Sequence, residues 1–132
     1  MLKKINILNK EQYKTIMETA KQDSVFIAEI DGKNIQNINQ YLKEIWDVFK
    51  FPITGYINYH AYLDWIRDLE WLNSNGYLFV IQNYCDFMKN SPNDRQIILN
   101  SLENLVIPWW EGEVEKCVVE GKAKLFNVYL VE

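Results

Sequence analysis

The sequence predicts an α/β fold: a small three-stranded parallel sheet packed with helices, with an additional N-terminal helix. Three observations lead there. Residues 24–31 (SVFIAEID), 77–82 (YLFVIQ) and 125–131 (LFNVYLV) are short, nearly continuous apolar runs, the pattern of strands covered on both faces. Between them, apolar residues return every three or four positions, the period of an amphipathic helix. Each passage from one run to the next is also long enough for a crossover. The order helix, strand, two helices, strand, two helices, strand therefore gives a parallel sheet with right-handed connections.

Residues 9–22 place Tyr13, Ile16, Met17 and Ala20 at helical spacing, so this first helix is expected to cover one edge or face of the sheet. The first strand ends at Asp31 and Gly32, a turn pair. Residues 37–50 then carry Ile38, Tyr41, Leu42, Ile45, Trp46 and Phe49 on one helical stripe. Pro52 and Gly55 make a loop, and Asn58 is a capping residue for the next helix, which is expected to run to residue 72 and to be stopped by the cluster 73–76 with its Gly76. After the second strand, residues 84–89 suit a helical turn. Ser91 and Pro92 then start a helix whose stripe is Ile97, Ile98, Leu102, Leu105 and Val106. Pro108 lacks the N–H that a continuous helix needs, so a break or kink is expected before helix resumes over 109–119 and ends at Glu120 and Gly121.

At 132 residues the chain is expected to be a single domain, large enough to form a core without disulfides or a structural metal. The N-terminal stretch has no continuous apolar segment of the signal-peptide kind, and no apolar run is long enough to cross a bilayer, so a cytoplasmic protein without membrane contact is expected. Cys85 and Cys117 belong to no C-x-x-C pair and read as buried free thiols. With His60 as the single histidine, no metal or other cofactor is expected. The net charge of −4 disfavours nucleic acid, whose phosphates need a basic surface, and suits a basic protein partner.

The 58–72 segment holds the candidate chemistry. On a helical wheel Ala61, Tyr62, Trp65, Ile66, Leu69 and Leu72 form one apolar stripe, while His60, Leu63, Asp64, Arg67, Glu70 and Trp71 fall opposite. Apolar anchors set among charges are what recognition surfaces favour. The plain alternative is that Leu63 and Trp71 lie under neighbouring loops and the charges keep the chain soluble. An enzyme would have to use His60 and Asp64 as an acid/base pair with Arg67 as an anion clamp, but no nucleophile, metal cluster or phosphate loop completes a site, so no catalysis is expected.

Pro52, Asn58, Ala61 and Asp64, followed by Asp68, Leu69, Trp71 and Leu72, resemble the central segment of the barstar family, small intracellular inhibitors of ribonucleases. The likeness runs from about Val25 to Glu132. It implies a barstar-like core over 24–132 behind a helical extension over 1–23. It also implies a function: binding and blocking the active site of a cognate ribonuclease or related toxin, the free chain being a monomer. The family's site residues fall on Thr54, Asn58, His60 and Asp64. Tyr56, Tyr59, Leu63, Arg67 and Trp71 complete the expected partner-binding set. This chain departs from the barnase-binding member at His60 and Lys116, where that member is acidic, and at Tyr56, where its glycine stands. The alternative carried with this reading is a non-inhibitory interaction or scaffold module on the same fold.

Overall fold

The apolar runs form strands, and the computed structural model, which describes residues 5–52 and 57–132, joins them to one strand more than expected. The strands are β1 (Ile5–Leu8), β2 (Phe26–Asp31), β3 (Gly76–Gln82) and β4 (Leu125–Val131), all parallel to their neighbours in the order β1-β4-β3-β2. The expected three-stranded sheet is thus four-stranded. β1 is four residues long and follows a lysine pair, so its Ile-Asn-Ile-Leu alternation is too brief to stand out in the sequence. What fixes it is tertiary: it pairs with the outer edge of β4, whose backbone groups would otherwise be unpaired. β3 is central and buried along its length except at Gln82, with Phe79 opposite Ala28 and Val128.

Helix α1 (Lys10–Gln22) starts with a reciprocal cap: Asn9 Oδ1 accepts from the Gln12 N–H at 2.8 Å, and Gln12 Oε1 accepts from the Asn9 N–H at 2.9 Å. It covers one face of the sheet, where Ile16 and Ala20 line a groove with Val25, Leu78, Leu125 and Tyr129. The alternate side chains, Phe26, Ala28, Tyr77, Phe79, Phe126 and Val128, point to the other face and enter the large core. That face is covered by α2 (Ile38–Val48), α3 (Tyr59–Ile66) and α4 (Pro92–Ser101). Phe49 sits at its centre, against Phe26, Phe79 and Phe126.

Helix α3 is shorter than the sequence predicts. It ends at Ile66, Leu69 turns left-handed at φ 56°, and a 3-10 turn over Glu70–Leu72 follows. A left-handed leucine costs about 1–2 kcal/mol. Burying its side chain fully returns about 1.5–3 kcal/mol, and Leu69 is fully buried. The same excursion lets the Trp71 indole donate to the Phe49 carbonyl at 2.9 Å. Gly76 is therefore not a helix stop but the first residue of β3.

Pro108 does not break the last helix. α4 runs on through wide turns over Leu102–Val106 and Trp109–Glu113 into α5 (Val114–Cys117), and Pro108 keeps helical angles of φ −61° and ψ −33°. In these turns the N–H of Ile107 bonds to Leu102 and that of Val114 to Trp109, each five residues back. Widening shifts the carbonyls away from the α-helical positions with which a proline ring collides. The helix ends at Cys117 instead of residue 119, with Val118 extended. Both cysteines are exposed, not buried as expected: Cys85 lies in the 3-10 turn Tyr84–Asp86 and Cys117 on the last helical turn.

Candidate functional site

The outward face of α3 is presented by a helix whose other side is fixed at several points. Asn58 Oδ1 accepts from the Ala61 N–H at 2.8 Å and caps its start. Tyr62 and Ile66 are fully buried. The Tyr62 hydroxyl lies 3.0 Å from that of Tyr41 and 3.1 Å from Ser101 Oγ, which joins α3 to α2 and α4. At the far end the Trp110 indole donates to the Ile66 carbonyl at 3.1 Å, satisfying one of the carbonyls that a helix end leaves without a partner. Burial pushes the Tyr62 hydroxyl up to about 12, against a partial lowering by its bonds to Ser101 and Tyr41. Burial also holds Tyr41 well above the ordinary tyrosine range.

On the outward side the Asp64 side chain is 81% exposed. His60 is exposed and Leu63 half-buried. Tyr59 is half-buried, its ring 5.8 Å from that of Tyr62 and 6.0 Å from His60. The Arg67 side chain is 31% exposed and held in three ways: Nε donates to the Leu63 carbonyl at 3.1 Å, a terminal nitrogen lies 3.9 Å from Asp64 Oδ1, and the guanidinium sits 5.5 Å over the Trp109 ring. The Asp64–Arg67 pair is solvent-facing and contributes at most about 1 kcal/mol to stability.

Tyr59, His60, Leu63, Asp64 and Arg67 are thus brought together along α3. Asn58 spends its side chain on the cap. Trp71, beyond the left-handed turn, packs edge-on against Phe51 and Trp65 at 5.8 Å and 5.5 Å, away from the continuous helical face on which the sequence places it. Thr54 and Tyr56 lie outside the described residues. Lys116 is exposed, as are Glu113 and Glu115; Glu115 accepts from the Ala123 N–H at 2.9 Å.

Two contributors were not read from the sequence. Trp109 is half-buried as the platform under Arg67, whereas Trp110 is buried in the core. Adjacent tryptophans in a helix point about 100° apart, so one inward and one outward ring was the available signal, but the sequence does not say which is which. Ser101, the buried polar partner of Tyr62, gave no signal at all. Among the described residues no group of three or more His, Cys, Asp or Glu side chains is placed to hold a metal, and no His60–Asp64 ion pair forms. No described helix is long and apolar enough to cross a membrane.

A family model described as Barstar (barnase inhibitor) matches residues 25–124, most of the chain. The chain belongs to the barstar family. Neither the curated proteins nor the solved structures compared with this chain match it. The segment shared with the barstar family opens at the start of β2, contains all of α3 and the wide-turned last helix, and stops just before β4. β1 and α1 lie outside it.

Proposed function

We propose that this protein is a barstar-like inhibitor or immunity protein that binds a cognate ribonuclease-type toxin and blocks its active site with the outward face of α3. The observation that carries the reading is Asp64: a carboxylate 81% exposed, within the barstar-matched segment, on a helix anchored from behind by Tyr62, Ile66 and Trp110. A ribonuclease site that binds phosphate is cationic, and a carboxylate on a rigid support can enter it with little ordering cost. Tyr59, His60 and Leu63 would border that contact, with Thr54, Tyr56, Asn58, Arg67 and Trp71 as the remaining members of the proposed set.

A barnase-type ribonuclease titrated with this protein at low and high salt, with RNA cleavage followed, tests the reading. Stoichiometric inhibition that is lost in Asp64→Ala supports active-site blocking. Inhibition unchanged by that substitution in a folded variant counts against this face. The second reading, a non-inhibitory interaction module, is favoured by one observation: Arg67 puts a cation on the same face as Asp64.

A further inference from the structure

We propose that Arg67 is a specificity-determining residue of this face, selecting a partner that offers an acidic group beside the basic group that meets Asp64, and rejecting a uniformly basic site. The inference rests on the inhibitory reading above and narrows the partner's chemistry.

The argument is geometric. Arg67 lies one turn beyond Asp64, and its guanidinium is held by the Leu63 carbonyl through Nε and by the face of Trp109. Spending Nε on the backbone and the π-face on an indole leaves the terminal N–H groups for the solvent side, where Asp64 Oδ1 is 3.9 Å away. That separation is longer than a hydrogen bond, so the pair does not consume either group. A long cationic side chain free in solution swings aside from an approaching cation at little cost. One clamped at both its Nε and its ring face does not. The face therefore carries an exposed minus beside a clamped plus: a partner with cations across the whole contact gains at Asp64 and is repelled at Arg67, whereas one with a cation and a carboxylate in the matching order gains at both.

Barnase serves as the basic probe, and affinity is measured by calorimetry for the wild type, Arg67→Lys, Arg67→Gln, Arg67→Glu and Asp64→Ala, with circular dichroism checking each fold. Arg67→Gln is expected to bind barnase about tenfold or more tightly than the wild type, and Arg67→Glu more tightly still, since like charges brought together at an interface are strongly unfavourable. Arg67→Lys, which keeps the charge but loses the Nε bond to Leu63 and the flat guanidinium over Trp109, should fall between the wild type and Arg67→Gln. The gain should shrink as salt rises. Equal or weaker binding by Arg67→Gln overturns the proposal, and so does the absence of binding by every variant, because removing the cation then uncovers no affinity. A purely structural role predicts lower stability in Arg67→Gln with no gain in affinity. If Arg67→Gln changes nothing while Asp64→Ala weakens binding, the selector fails and the inhibitory reading stands. If Asp64→Ala changes nothing either, the reading itself fails.

Discussion

The hydroxyl of Tyr62 donates to Ser101 Oγ across 3.1 Å in the centre of the core. The direction follows from proton counting. Ser101 gives its one proton to the Ile98 carbonyl at 2.7 Å, so it must accept from Tyr62, and Tyr62 must in turn accept from Tyr41 at 3.0 Å. Helix α3 is thus tied to its support by a directed chain of hydroxyls with no spare donor.

Tyr62→Phe and Ser101→Ala each leave one buried donor of this chain without an acceptor, which costs about 1–3 kcal/mol apiece. The double variant should cost less than the sum, because the bond lost is shared. Urea denaturation of the three variants measures this, and strict additivity would show that the chain is not coupled.

Buried tyrosine hydroxyls make the fold sensitive to alkali. Tyr62 and Tyr77 are both raised to about 12, chiefly by burial, while an unfolded tyrosine titrates near its ordinary value of about 10. The native state therefore holds these protons more tightly than the unfolded chain does. Their stabilisation is complete below pH ~10 and drains away as pH climbs from there toward ~12. Melting temperature should fall over that window, less steeply in Tyr62→Phe, which has one such group fewer. A melting temperature level across the window would contradict this.

Two glycines should respond in opposite directions to alanine. A Cβ on Gly32 would lie 2.7 Å from the Asn83 carbonyl oxygen and 2.8 Å from that of Gln82, backbone atoms that cannot step aside, so Gly32→Ala should destabilise by about 1–3 kcal/mol. Nothing lies within 4 Å of a Cβ on Gly112, which sits in a helical segment, so Gly112→Ala should stabilise by about 0.4–1 kcal/mol. Thermal unfolding of the pair checks both signs.

Asp64→Ala should leave stability within about 0.5 kcal/mol of the wild type, since the side chain is 81% exposed and its one described ionic contact is a weak solvent-facing pair. Equilibrium denaturation decides it. A large loss would mean that Asp64 serves the fold and that any fall in binding has an indirect origin.

Most of the architecture was legible because β2, β3, β4, α1 and α2 each have a pattern long enough to carry a period, and the Asn58 cap is a local signal that tertiary packing leaves intact. Two of the misreadings share one cause, which is that distant contacts outweighed local preference. β1 is too short to be recognised without the β4 edge that it completes. α3 stops where burying Leu69 repays a left-handed backbone, and that burial is invisible to a helical wheel. The exposed pair His60 and Asp64 could be placed on the outer face from spacing alone, whereas the platform under Arg67 comes from a helix more than forty residues further on.

The wide turns of the last helix alter which way the residues beyond them face. Each takes in one residue more than an α-helical turn, and one residue is worth about 100° around the axis. With two of them before α5, the residues beyond Glu113 have been rotated about 200° out of phase with a regular helix of the same sequence. Lys116, which the family resemblance aligns with an acid, is a match by counting; azimuth is what an approaching protein meets. In this chain the direction that Lys116 faces therefore follows from the two wide turns and not from counting along a regular helix.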